Sequence, residues 1–420
     1  MEILIKQALL EGKQHDILII NDIISAVYPS ENSIRETADV TINATGKAVI
    51  PGLANMHSHS AMTLFRGYAD DMPLKPWLEE KIWPNEKKLT AEDVYWGARL
   101  ACLEMLKSGT TLLNDMYDHL DETEKAVVET GIRAVLAEVC FDFFKPHIAA
   151  RSKQHIIKRF GNKPTNERIQ YALGPHAIYT VSGDLLKWAK DFALDNDVFM
   201  HLHLAETEQE VADCQRDFGD TPVRYLQKLG VLSHKLIIAH GLYVDEEEIK
   251  MLDDAGVAVV HNPASNMKLG SGYQFRFKEM KQAGVRVALG TDGCASSNNL
   301  DMIEVMKLAS LLGKSWRKDP TALSCNEMLD AITVTPAEII GIKTGKIATG
   351  YKADICLIDL QRPEFTPNHN FVSNLVYSAN GSCVDTVICD GKILMENRKV
   401  TREKEIIENA GIIANNLINR

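Results

Sequence analysis

The chain has 420 residues, 45% of them hydrophobic and 25% charged, with 46 Lys and Arg against 57 Asp and Glu. The net charge of -11 argues against nucleic acid or an anionic membrane as the main partner, and there is no run of about 18 apolar residues to span a bilayer. The eight cysteines (102, 140, 214, 294, 325, 356, 383 and 389) form no Cys-x-x-Cys pair, which excludes a zinc ribbon or thioredoxin-type site and predicts free thiols in a cytoplasmic protein.

The chain opens directly on a strand-like run, Ile3-Leu4-Ile5, with no signal-peptide pattern. Residues 16–20 and 23–27 around Asn21-Asp22 read as a hairpin with a two-residue turn. From residue 53 apolar runs of strand length alternate with longer helical patterns. Eight strands are predicted at 53–59, 110–116, 133–140, 169–176, 198–204, 235–240, 257–261 and 285–292. Helical spacing falls between them at 91–107, 121–130, 183–194, 207–216, 245–255 and 277–283. Eight such pairs predict an α/β fold, a (β/α)8 barrel of the TIM type over 53–345. A doubly wound sheet also alternates, but no Gly-x-Gly-x-x-Gly follows an early strand. Short strands return at 345–347, 353–359 and 384–391. With residues 1–52, the segment 346–420 is expected to build a small β-sandwich domain from both chain ends, the tail 402–420 forming a terminal helix.

Barrel chemistry gathers at the C-terminal ends of the strands. Six of the eight predicted strands end on a residue that binds metal or moves protons: His57 and His59, His176, His203 with Glu206, His240, His261, and Asp292. A single histidine is more often structural, but this convergence is hard to derive from packing. His57 and His59, two residues apart on a strand, face one side. With His203 and the additional carboxylate of Asp292 they meet the need of a catalytic zinc site for about three protein ligands and an open position. His201 shares the face of His203 but lies deeper, fit to fill the core or support a ligand. No lysine ends the fourth strand, so one divalent metal ion is expected, Zn2+ or Fe2+. Such an ion brings the pKa of water to about 7. Glu206, three residues past His203, can deliver a proton, and His240 can accept one.

These residues stand in a series of motifs: Pro51-Gly52-Leu53-Ala54-Asn55-Met56-His57-Ser58-His59, Met62-Thr63-Leu64-Phe65-Arg66-Gly67, Gly174-Pro175-His176, His203-Leu204-Ala205-Glu206-Thr207, His261-Asn262-Pro263-Ala264-Ser265-Asn266-Met267-Lys268-Leu269 and Gly290-Thr291-Asp292-Gly293. Through them nearly the whole chain resembles the amidohydrolase superfamily, in its branch of 5'-methylthioadenosine/S-adenosylhomocysteine deaminases and 5'-deoxyadenosine deaminases. The resemblance implies a metal held by His57, His59, His203 and Asp292, and proton transfer by Glu206, His240 and Asp292. It also implies a ribose contact at Glu86, a purine contact at His176, a lid residue at Trp77 and a second tail-pocket arginine at Arg151. Where the branch presents an arginine near the end of the third strand, this chain has Glu138, which leans the expectation away from S-adenosylhomocysteine.

The implied activity is metal-dependent hydrolytic deamination of adenine nucleosides. The alternatives are a guanine or cytosine deaminase, a triazine chlorohydrolase, or a non-catalytic barrel serving as a binding module. The partners expected are a small-molecule nucleoside and further copies of the chain.

Overall fold

The structure, a computed structural model, describes residues 1–32, 37–162 and 164–420. Five strands come first: β1 (Glu2–Leu10), β2 (Lys13–Ile20), β3 (Ile23–Pro29), β4 (Val40–Asn43) and β5 (Lys47–Pro51). Eight follow, separated by helices: β6 (Leu53–Ser58), β7 (Thr110–Tyr117), β8 (Arg133–Cys140), β9 (Ile169–Pro175), β10 (Phe199–Leu204), β11 (Leu236–His240), β12 (Ala258–His261) and β13 (Arg286–Leu289). The last four are β14 (Ile355–Asp359), β15 (Val384–Cys389), β16 (Lys392–Glu396) and β17 (Lys399–Val400).

Strands β6 to β13 are neighbours in chain order and run parallel, as a (β/α)8 barrel requires. Every residue of β6, β7, β10, β11 and β12 is buried. Strands covered on both faces must be apolar almost throughout, which is why they read as continuous runs. The helices supply the outer cover. Helix Ala91–Lys107 starts at a capping box between Thr90 and Asp93 and turns Val94, Ala98, Ala101, Cys102 and Met105 inward at helical spacing.

The barrel closes through a polar seam. Asp292 N donates to His57 O at 2.9 Å. The Asn55 amide does the rest: its Nδ2 donates to Thr291 Oγ1 at 2.7 Å and its Oδ1 accepts from Thr291 N at 3.1 Å. Asn55 thus stands in for part of a strand ladder between the first and last strands.

The strands from both chain ends join one nine-stranded sheet, in the order β17-β16-β15-β14-β5-β1-β2-β3, with β4 parallel to β1. Ile3, Ile5, Ile17, Ile19, Ile42, Ile355 and Leu357 pack as its core. The hairpin β2–β3 turns at Asn21-Asp22, with Ile20 facing Ile23. The strand expected at 345–347 is absent; that stretch is a bend, where Gly345 has φ +80° and a side chain would collide with Thr333 O. Helix Glu403–Ile418 is the expected terminal helix, and Arg420 Nη2 reaches Asp93 Oδ1 at 2.9 Å. Helices Pro146–Phe160, Pro222–Leu229 and Met302–Arg317 are additions to the sequence reading. Among the described residues, no helix is long and apolar enough to cross a membrane.

Arg133, 3% exposed at the start of β8, ties the barrel to the small sheet. Its Nε and Nη2 donate to Asp354 at 3.2 and 3.3 Å, and Nη2 also reaches Asp390 Oδ1 at 2.9 Å. Truncating it would leave the buried Asp354 without a cation and Asp390 with only Lys352 Nζ, at 3.6 Å. Arg133→Ala is expected to lower unfolding stability by about 3–5 kcal/mol. Urea denaturation checks this: the midpoint should fall with little change in slope, and an unchanged midpoint would mean that the network contributes nothing net.

Candidate active site

The polar strand ends converge at the C-terminal mouth of the barrel. The register of β6 against β7 shifts between Asn55 and Ser58. His57 ends up wholly buried and His59 follows just past the strand end. Their Nε2 atoms lie 3.5 and 3.2 Å from Asp292 Oδ1. His203 Nε2 is 3.3 Å from His59 Nε2. Two groups of donor atoms, His57-His59-His203 and His57-His240-Asp292, each fall within 4.8 Å of one another.

The hydrogen bonds behind these rings decide what the cluster can hold. His59 Nδ1 lies 2.6 Å from Met116 O, and His203 Nδ1 lies 2.7 Å from His176 O. A carbonyl only accepts, so both Nδ1 atoms carry hydrogen and each neutral ring turns an Nε2 lone pair inward. Two lone pairs at 3.3 Å repel unless a cation lies between them. His57 Nδ1 pairs with His201 Nε2 at 3.0 Å, while the buried His57 Nε2 has no hydrogen-bond partner. Donors about 2.0–2.1 Å from a tetrahedral zinc stand about 3.3 Å apart, close to the spacings here. The three imidazoles and one carboxylate therefore fit a divalent metal. Without one, burial opposes a charge on His59, but Asp292 outweighs it and raises its pKa to about 9. Burial pushes His57 down to about 4.

Three backbone positions aim the remaining groups. Ala205, His240 and Asp292 adopt positive φ, at 52°, 76° and 66°. For residues with a Cβ this conformation costs roughly 1–2 kcal/mol each, so the surroundings must hold it. His240 Nδ1 lies 2.8 Å from Asn266 Oδ1, which leaves Nε2 free to face Glu206 Oε2 at 3.7 Å. Burial raises the pKa of Glu206, so its carboxyl keeps a proton to higher pH than usual. Asp292 Oδ2 accepts from Ser265 Oγ at 2.6 Å and Oδ1 from Gly293 N at 2.7 Å. Despite burial, the histidines beside it hold its pKa well below the usual range.

His59, His203, Glu206, His240 and Asp292 line a cavity of about 440 Å3, within the range of small-molecule sites. Trp77 and Glu86 come from a lid segment in which a π-helical stretch, Trp77–Ile82, runs into the short helix Trp83–Glu86. Trp77 is buried, its Nε1 bonded to Ala69 O at 3.1 Å. Glu86 Oε1 accepts from Tyr117 Oη at 2.8 Å, and burial raises its pKa to about 7. His176 also lines the cavity; its Nδ1 meets Thr180 Oγ1 at 2.9 Å and burial holds it near 4, hence neutral. Arg151 is not brought to the site: it is exposed on helix Pro146–Phe160 and does not line the cavity. Glu138 is likewise outside it, bonded to His155 Nε2 at 2.9 Å and Arg159 Nε at 3.2 Å. On β8 it is Val139 that faces inward, so the next residue along the pleat cannot.

The amidohydrolase family pattern matches residues 48–394. The chain belongs to the amidohydrolase family. It is 48% identical over 383 residues to a 5-methylthioadenosine/S-adenosylhomocysteine deaminase of Archaeoglobus fulgidus, covering 90% of each chain. It is 45% identical to a 5'-deoxyadenosine deaminase of Methanoregula boonei, covering 92% of this chain and 88% of the other. A crystal structure of an adenosine deaminase from Xanthomonas campestris with bound zinc superposes with a TM-score of 0.94 at 33% identity, covering 100% and 98% of the two chains.

Several supports of this amidohydrolase site escaped sequence reasoning. Ser265 and Asn266 were visible only as part of a motif, with no role attached. Tyr117, Thr180 and Ser271, whose Oγ lies 3.4 Å from Glu206 Oε1, carry no spacing signal. The carbonyls of Met116 and His176 are backbone and leave no trace in residue identity.

Proposed function

We propose that this amidohydrolase hydrolyses the 6-amino group of adenine nucleosides, giving inosine analogues and ammonia, with zinc as its ion. The reading is carried by one juxtaposition: His59, His203 and Asp292 of a cation-fitting His3Asp cluster, Glu206 with its raised pKa and the lid carboxylate Glu86 all line a single cavity. The names of the Archaeoglobus, Methanoregula and Xanthomonas relatives agree with it.

Zinc held by His57, His59, His203 and Asp292 would supply hydroxide near neutral pH. Glu206 gives its proton to ring N1, which makes C6 more electrophilic. His240, its Nδ1 committed to Asn266, takes the proton of the attacking water on Nε2. Asp292, kept ionised, shares that task through Oδ1. The proton on His240 Nε2 passes to the amine as the C6–N bond breaks, and the proton left on the C6 hydroxyl returns to Glu206, 3.7 Å from His240, as C6=O forms. Glu86 accepts the two ribose hydroxyls, His176 meets the purine, and Trp77 closes the lid side.

A second chamber of about 660 Å3 continues from the cavity, sharing Leu74, Trp83, Phe143 and Tyr179 with it. It would receive the 5' substituent. Its charged lining is Glu79, Glu208, Glu210, Asp213 and Asp217 against Lys75 alone, so carboxylate-tailed nucleosides are expected to react more slowly than methylthio or deoxy ones.

Ammonia release by the zinc-loaded protein tests the reading. Adenosine, 5'-deoxyadenosine and 5'-methylthioadenosine should turn over, S-adenosylhomocysteine more slowly, and guanine and cytosine hardly at all. Preference for a free base would overturn it. Glu86 adds a pH signature. Below about pH 7 it is protonated and can no longer accept from both hydroxyls, so KM should rise as pH falls through 7. Glu86→Gln should raise KM roughly tenfold to a hundredfold and flatten that rise; an unchanged KM profile would remove Glu86 from the ribose.

A further inference from the structure

Glu210 is a buried carboxylate, counted above only in the charge of the second chamber, that takes no part in the proton transfers. It lies in the first turn of helix Glu208–Phe218, three residues after the N-cap Thr207, whose Oγ1 accepts from Glu210 N at 3.0 Å. A glutamate at this place in a capping box normally reaches back to the N-cap amide. Here it reaches further. Oε1 accepts from Ala205 N at 2.9 Å and Oε2 from Glu206 N at 2.8 Å. Glu210 is 7% exposed, so these two bonds are made away from solvent.

We propose that Glu210 is a positioning residue that fixes the backbone from which Glu206 enters the cavity. Ala205 has φ +52°, a conformation that alanine does not keep unaided. On its other side Ala205 O is held by Leu242 N at 2.9 Å and Tyr243 N at 3.1 Å. The turn is clamped from both faces, by the following β11 loop and by Glu210. Removing the Glu210 clamp frees two adjacent amides and lets the peptide rotate, which swings the Glu206 carboxyl away from ring N1 and from His240. The metal ligands lie on other segments or before the turn, so they keep their places. Misplacement of about 1 Å in a reacting group costs on the order of a hundredfold in rate.

The inference rests on the role proposed for Glu206, and its test separates the two. In Glu210→Gln one amide must face an NH2 group instead of an oxygen. The kcat for the best nucleoside should fall by about tenfold to a hundredfold, with KM within twofold and one metal ion retained. Thr207→Ala is the control: it removes the helix cap but neither of the two amide bonds, and should lower Tm without lowering kcat. Equal kcat losses in both variants, or an unchanged kcat in Glu210→Gln, would overturn the proposal. Should Glu210→Gln not fold, Glu210→Asp, one methylene too short to span both amides, is read in the same way. A crystal structure of the variant needs no substrate: the Ala205 φ and the Glu206 carboxyl should both move. If they move while the wild-type protein deaminates nothing, the clamp stands and the proposed reaction falls; if they stay, the clamp falls.

Discussion

Glu206→Gln is expected to lower kcat roughly a thousandfold while KM changes by less than a few-fold and the metal stays bound. The substitution keeps shape and removes only the transferable proton. Burial raises the pKa of the wild-type carboxyl and so favours its protonated form, and its contacts are Ser271 Oγ at 3.4 Å and His240 Nε2 at 3.7 Å. Because Glu206 stands outside the donor clusters, metal content should match wild type. Steady-state ammonia release with metal analysis on the same sample decides it. A kcat within threefold of wild type would hand proton delivery to another group, and a variant without metal would mean that Glu206 is a ligand.

Removing the ion should have the larger effect, abolishing turnover, and added zinc should restore it. His203→Ala should be inactive and should not be rescued. The same treatment should lower thermal stability, since an ion that binds only the folded chain contributes about 4 kcal/mol at a thousandfold excess over Kd. The pH dependence has a definite sign. In the metal-free cluster His59 holds a proton up to about pH 9, and an incoming ion must displace it. Affinity should therefore weaken about tenfold per pH unit as pH falls below 9. Zinc titrations at several pH values check this; a flat profile would show that the ion enters without displacing that proton.

The barrel was legible because parallel strands buried on both faces must be apolar and because their ends carry the polar groups. The histidines stood out for the same reason. Helix Pro146–Phe160 escaped because only Ile156 on it is buried, so its pattern is that of a polar surface. Strand β16 escaped similarly, with Met395 alone buried. Glu138 and Arg151 show a different limit. Position along a strand can be read from composition, but which side of the pleat a residue takes depends on neighbours far away in the chain. For Glu138 the partners are Arg159 and His155, on a helix that sequence reading did not place. The ring nitrogens that His59 and His203 turn toward the candidate cation site are chosen by the carbonyls of Met116 and His176, so the protonation pattern became readable only once strands were side by side.

The seam between β6 and β13 bears on how this chain reaches its native state. Asn55 and Thr291, which close it, are 236 positions apart, so their meeting is among the most non-local events in folding and belongs late on the pathway. His57 and Asp292 lie on opposite sides of the same seam. A partly assembled barrel can hold the His57-His59-His203 group and still lack the carboxylate that completes the cluster. Full-affinity uptake of the ion is therefore a readout of completed folding. In refolding experiments it should follow the recovery of helical signal, with the slowest phase common to seam closure and metal capture.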